Sequence, residues 1–442
     1  MLQTIRNAWK IEELRKKILF TLFILLLYRI GNSIPVPYVN VALLGQYFEQ
    51  NQLGSTVLGL FDMMSGGAFS SATIFALSIQ PYINASIIIQ LLCIAIPALE
   101  RMAKEEGEEG KKKINKITRY STIGIALLQG FAYFWLLRNQ AASGFELINL
   151  ATGAAGVMQA IVIIMTFTAG AVLVMWMGEQ ITEFGIGNGI SMILFASIVS
   201  RFPVGIATMI NGVRTGAFAW WFVVLMLLGA LAMVVLIVIV SNGERRIPVQ
   251  YSKRVVGRKM YGGQSTHLPM KVNMSGVLPV IFAGSIASLP ATILMMFGKT
   301  ADSEGMAGEF LSIFNSTTLL YALIYFLLIV FFSYFYSTIQ FNPIEVSNNL
   351  KRNGGFIPGY RPGKPTSEFI QKVLNKITLF GAFYLSVVAV VPIIISAFSE
   401  TAANSGLSLG GTSIIIVVGV ALETIKQLEN QMLMRHYKGF LE

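Results

Sequence analysis

The sequence predicts an all-α membrane protein: ten transmembrane helices in two inverted halves of five. Three observations predict it. Charge is scarce, the apolar residues fall into ten long runs, and the basic residues gather on alternate loops. Of the 442 residues, 54% are hydrophobic and 12% charged, against about 25% charged in a typical soluble domain. The mean hydropathy of +0.66 points the same way. A run of about 20 apolar residues crosses the hydrocarbon core as a helix, because lipid offers no partner to the backbone of an open strand.

The runs cover residues 18–34, 72–96, 117–137, 156–176, 189–206, 220–240, 272–297, 317–339, 376–398 and 411–428. Residues 1–17 form an amphipathic, charged segment ahead of them. No small-residue cleavage site follows the first run, so it is expected to stay as a span. The N-terminal half then covers 18–206, the C-terminal half 207–428, and a tail 429–442. Five spans per half is an odd number, so the second half enters the membrane with opposite polarity, as an inverted repeat does. Spans 2 and 7 hold matching positions, and both are interrupted. Gln80, Pro81 and Asn84 stand mid-way in one, and Pro279, Gly284 and Pro290 in the other. Paired broken helices point to a central pathway; ordinary proline kinks are the alternative.

Direction follows from the loops. With the N-terminus in the cytosol, 28 of the 33 Lys and Arg residues lie inside. Only Arg29, Arg138, Arg201, Arg214 and Lys299 lie outside. Basic residues are retained on the cytoplasmic face of membrane proteins, so both termini are expected there. Loop 177–188 departs from the rule, with Glu179 and Glu183 and no basic residue. It is kept inside because flipping it would misplace both neighbours.

What the spans lack is also informative. Ion-coupled transporters carry acidic or basic groups inside the membrane, whereas spans 2, 3, 6, 7 and 8 have none through their centres. Arg29 and Arg201 sit toward outer ends, where long side chains can snorkel to water. Glu423 sits toward the inner end of span 10. The chain contains no GxxxxGK[ST] or HExxH motif, and no catalytic residue, metal site or cofactor is expected. Gly185-Ile186-Gly187-Asn188-Gly189 reads as a flexible turn before span 5 rather than a nucleotide loop. The single cysteine, Cys93, reads as an inert buried thiol, and His267 and His436 as surface residues.

Two inside loops, 241–271 and 340–375, are long and basic. Arg245, Arg246, Arg254, Arg258 and Lys259 crowd the first; Lys351, Arg352, Arg361 and Lys364 mark the second. Attraction to anionic lipid is one reading. Gly, Pro and aromatic residues between the charges give another: a shaped surface for a large anionic partner, such as a ribosome or a motor protein.

The chain is identified as a member of the SecY family on motifs that run its whole length. The stretch Leu60-Phe61-Asp62-Met63-Met64-Ser65-Gly66-Gly67-Ala68-Phe69 resembles the family's plug. The stretch Ser78–Leu92, opening Ser78-Ile79-Gln80-Pro81-Tyr82-Ile83-Asn84, resembles its second helix. Gly178–Glu183 followed by Gly185–Ser191 resembles the approach to helix 5, and Gln264–Pro269 with Lys271–Met274 the approach to helix 7. Pro358-Gly359-Tyr360-Arg361-Pro362-Gly363 resembles the loop before helix 9, and Gly410-Gly411-Thr412-Ser413 opens helix 10. The resemblance implies an hourglass channel that passes unfolded, signal-bearing polypeptides outward. It releases membrane helices sideways into lipid through a lateral gate between spans 2–3 and 7–8. It implies a pore ring of Ile79, Ile83, Leu194, Ile281 and Ile416, with Leu194 a mild departure from the usual Ile. It implies motor and ribosome docking on Arg254, Arg258, Lys259 and Arg361. The implied partners are small SecE and SecG membrane subunits, the SecA motor ATPase, the ribosome, preproteins and lipid, at the inner (plasma) membrane.

Independently, Ile79 and Ile83 are four apart and so share a helix face. A hydrophobic constriction seals by excluding water and needs no charged group.

Overall fold

In the computed structural model, the residues described are 2–50, 57–104, 107–139, 147–216, 219–251, 254–256, 259–261, 265–296, 318–398 and 410–438. The first half begins with α1 (Leu2–Lys10) and α2 (Glu12–Gly31), and α2 is span 1. Two short helices follow, α3 (Val41–Gln50) and α4 (Val57–Ser65), then α5 (Gln80–Ala95) and α6 (Pro97–Lys104). Three long helices complete the half: α7 (Gly107–Asn139), α8 (Ala154–Phe184) and α9 (Gly189–Arg214). The second half holds α10 (Trp220–Asn242), α11 (Leu278–Met296), α12 (Leu319–Gln340), α14 (Lys364–Phe398) and α15 (Gly410–Lys438), with short α13 (Pro343–Arg352) between α12 and α14.

Among the described residues, α7, α8, α9, α10, α12, α14 and α15 are long and apolar enough to cross a membrane. The helices α5 and α11 are apolar but shorter, and α2 starts with charged turns. Each of the ten predicted runs therefore falls on its own helix. The packing order repeats: α5 on α7, α7 on α8 and α8 on α9 in one half, α11 on α12, α12 on α14 and α14 on α15 in the other. The halves meet where α11 lies against α5 and α7, and again where α15 lies against α9. Outward faces keep large apolar side chains, as lipid-facing helices do; along α10, Trp220, Leu225, Leu228, Leu231 and Ile239 are all exposed.

Spans 2 and 7 differ from their prediction in an instructive way. Gln80 and Pro81 are not mid-helix: α5 starts at Gln80, and 66–79 is a succession of turns. Likewise 272–277 is non-helical and α11 starts at Leu278. Pro81 and Pro279 occupy first turns, where the missing N–H would have had no helical partner. Both halves thus contain a shorter helix, of 16 and 19 residues, preceded by irregular backbone that neighbours rather than lipid can satisfy.

The turn before span 5 is firm rather than flexible. Asn188 caps α9, its Oδ1 accepting from Ile190 N at 3.1 Å, as Asn does at helix starts. A Cβ on Gly189 would lie 1.8 Å from the carbonyl oxygen of Gly178, so only glycine lets α8 and α9 approach so closely.

The first basic loop is a sheet, which the sequence reading missed. Strands β1 (Glu244–Tyr251) and β4 (Ser265–Lys271) pair antiparallel from Glu244↔Lys271 to Gln250↔Ser265. Strand β5 (Gly355–Phe356), from the second basic loop, pairs with the end of β1 at Gln250↔Phe356. Between β1 and β4 lies a small hairpin of β2 (Arg254–Val256) and β3 (Lys259–Tyr261). Ile247 and Val249 point inward on alternate residues of β1 and join Met270, Leu350, Ile357, Ile370 and Leu374 in one core. The two basic loops are therefore a single body. Cys93 also departs from expectation, being half-buried rather than enclosed.

Candidate pore, plug and gate

The five residues expected to form the ring come from four helices of both halves. Ile79 is the N-cap of α5 and Ile83 stands one turn on. Leu194 follows the Asn188 cap on α9, Ile281 lies in the first turn of α11, and Ile416 in the second turn of α15. All are 5% exposed or less and belong to one buried apolar cluster. The late starts of α5 and α11 are what set Ile79 and Ile281 at this depth.

The predicted plug is helix α4 and the turn after it; the helix begins at Val57, three residues before the predicted start. Met64 is buried in the same cluster as the ring, and Met63 packs against that cluster. The Ser413 hydroxyl, next to the ring on α15, contacts Met63 Sδ. Phe61 stacks on Phe69 at 5.9 Å, and Phe69 on Tyr133 of α7 at 4.3 Å. The side chain of Leu60 lies outside the described residues.

A polar collar holds the far end of the plug. Asn32 Nδ2 donates to Ser65 O at 3.0 Å. Tyr28 hydroxyl bonds Ser197 Oγ at 2.8 Å and lies 3.4 Å from Ser65 O. Asp62 pairs with Arg201 of α9 and accepts from Ser70 N at 2.7 Å. Arg29 donates to Gly66 O at 3.3 Å. Arg201, expected to snorkel to water, turns onto this segment and is half-buried, whereas Arg29 reaches it while staying exposed to water as expected. Bonds with an ionised donor or acceptor are shorter and stronger than neutral ones.

A cavity of about 510 Å³ lies on the sheet side of the ring. Asn188, Ser191, Lys271, Asn273, Glu423 and Lys426 line it, so it is wet-walled where the ring is dry. Between the halves, Gln80 Nε2 of α5 donates to Ser285 Oγ of α11 at 3.2 Å. Tyr336 hydroxyl of α12 donates to Gln90 Oε1 of α5 at 2.5 Å. These two bonds close the seam where the lateral gate is expected. Tyr28, Asn32, Tyr133, Gln90 and Tyr336 were not singled out in the sequence, although polar groups inside apolar runs are the signal that marks them.

Of the docking residues, Arg361 is exposed on a turn that is well fixed. Thr366 Oγ1 donates to its carbonyl at 2.8 Å, and Tyr360 beside it stacks on Phe369 at 4.2 Å. Arg254 and Lys259 lie on the β2–β3 hairpin, with their side chains outside the described residues, and Arg258 lies outside them altogether.

A profile described as SecY matches residues 73–425. The chain belongs to the SecY family. The protein translocase subunit SecY of Streptomyces scabiei is 44% identical over 443 residues, covering all of both chains. A solved SecY, whose plug domain is described as stabilising the closed channel and maintaining a membrane seal, superposes with a TM-score of 0.65. It is 17% identical and covers 95% of this chain and 92% of that one. Sec61 of the canine ribosome–channel complex from the endoplasmic reticulum superposes with a TM-score of 0.60 at 15% identity, over 95% and 92% of the two chains. The fold is that of the SecY and Sec61 channels, and this chain is a multi-pass membrane protein.

Proposed function

We propose that this chain is the channel-forming subunit of a Sec translocase, caught with its pore closed. It passes unfolded, signal-bearing polypeptides across the membrane and releases apolar helices sideways through the gate. One observation carries the reading: five apolar side chains from both halves and a plug methionine share one dry cluster beside a wet cavity. Such a constriction stops water and ions without any charged group, yet its walls can part around an extended chain. Energy comes from a partner: a SecA-type motor or a ribosome meets the sheet body at Arg361, Arg254, Arg258 and Lys259. Small SecE- and SecG-type subunits complete the complex.

A signal helix enters lipid only if the seam opens, and that requires losing the Gln80–Ser285 and Gln90–Tyr336 bonds. The test replaces Gln80 and Ser285 by cysteine in a Cys93→Ser background and joins them with a bifunctional thiol reagent. Joined channels should stop exporting signal-bearing chains, while unjoined ones keep working. Export through a joined seam would show that the gate lies elsewhere.

The proposed orientation has both termini in the cytosol of a cell whose inner membrane carries the chain. Reporters active only outside should work when fused after Ala141, Gly305 or Ala403. They should stay silent after Lys112, Gly262 or Gly355, and activity at Gly262 would reverse the orientation.

A further inference from the structure

We propose that Arg201 and Arg29 form a two-cation socket that latches the plug through its one charged residue, Asp62. The latch sets how strong a signal must be to open the channel. It rests on reading α4 and its turn as the plug.

The charges are placed for the task. Between Val57 and Phe69 only Asp62 is charged. Its side chain is 8% exposed and pairs with Arg201, whose own side chain is 35% exposed. The remaining carboxylate oxygen accepts from Ser70 N at 2.7 Å. Arg29 approaches from α2, donating to Gly66 O at 3.3 Å and to Ser200 Oγ at 3.3 Å. That second bond sets it beside Arg201, one residue along α9. The two arginines thus grip the carboxylate and a backbone carbonyl of one short segment from two different spans.

The glycines make room for this grip. Gly66 and Gly67 have φ of +70° and +91°, a region that other residues enter at a cost. A Cβ on Gly66 would stand 3.0 Å from Ser197 O, and one on Gly67 3.3 Å from Arg201 Nη1. A side chain at either position would push the plug off the socket.

The energetics favour a latch over a permanent tie. A half-wet ion pair is worth less than a fully buried one, because water replaces part of what is lost. Beyond the two arginines the segment's polar anchors are neutral: Asn32 donates to Ser65 O at 3.0 Å, and the Tyr28 contact to the same oxygen is long at 3.4 Å. When the plug leaves, Arg29 and Arg201 are left facing each other without the anion between them. Like charges at close range repel, so the socket favours return of the plug once a chain has passed.

The experiment measures ion flux through resting proteoliposomes holding the full translocase complex at matched protein levels. The variants are Asp62→Asn, Arg201→Gln, the charge swap Asp62→Arg with Arg201→Asp, and deletion of residues 60–69. Each single variant should raise resting leak about tenfold, between the small effect of an exposed pair and the large one of a fully buried pair. The swap should bring the leak back near wild type. The singles should also export substrates with weakened signals that wild type rejects. Thermal unfolding of each purified complex separates loss of fold from loss of latch, because Asp62→Asn preserves shape. If the deletion leaks while both singles stay tight, the plug is right and the latch is wrong. If the deletion stays tight, the plug reading itself fails. If the swap leaks as much as the singles, shape rather than charge holds the segment, and the latch is overturned.

Discussion

Ile281→Asn and Ile416→Asn should each turn the resting channel into an ion leak and relax its demand for a good signal. Both side chains are at most 5% exposed and packed with the plug methionine Met64. Replacing either by Asn removes about 1.5–3 kcal/mol of apolar burial. An amide left without partners there costs about 1–3 kcal/mol more. The closed state alone bears both penalties, since the open pore lets water reach the amide. A few kcal/mol moves a strongly closed equilibrium by on the order of a hundredfold in open fraction. Wetting adds to this, because the amide gives a narrow water column hydrogen bonds that isoleucine withholds. Ile281→Leu conserves volume and should change flux little. Leu231→Asn is the control: Leu231 lies mid-way along α10 with 61% exposure, facing away from the ring. It should cost stability without selective leak. Equal leak from ring and control variants in proteoliposomes would reduce the five residues to ordinary packing.

Arg361→Glu should lower motor-driven export by about tenfold or more, since reversing a charge turns docking attraction into repulsion. The fold of the loop does not depend on that side chain. Its turn is held by the Thr366 bond to the Arg361 carbonyl, by Ser347 Oγ donating to Gly363 O at 2.8 Å, and by Tyr360 on Phe369. Membrane integration and the thermal unfolding midpoint should therefore match wild type. Arg361→Lys keeps the charge but loses the planar fork, so partial export is expected. Undiminished export by Arg361→Glu would remove this residue from the docking surface.

The apolar helices were legible because a membrane crossing is written in composition: among the described residues seven are long and apolar enough to cross, and the other three runs fall on α2, α5 and α11. The orientation expected for them came from counting Lys and Arg, which needs no structure. The proposed ring rests on resemblance alone: an isoleucine such as Ile281 carries no local sign that separates pore from core. Three features escaped for physical reasons. The starts of α5 and α11 slipped because hydropathy does not distinguish apolar turns buried in protein from apolar helix in lipid. Strand β1 slipped because Ile247 and Val249 are only two inward residues, set among Arg245, Arg246 and Pro248 in a loop that reads as polar. The reach of Arg29 to Gly66 and of Arg201 to Asp62 joins residues far apart in sequence. No single helix predicts that meeting.

The most direct measurement is reconstitution. This chain, with small partner subunits, is placed in liposomes and given a motor ATPase, ATP and a signal-bearing preprotein, and protease is then added outside. The preprotein should become protected in a manner that needs ATP and an intact signal, and protection should vanish when the seam is cross-linked between positions 80 and 285. A preprotein that stays fully digestible beside a well-folded, correctly oriented complex would contradict the assignment of this chain as a protein-conducting channel.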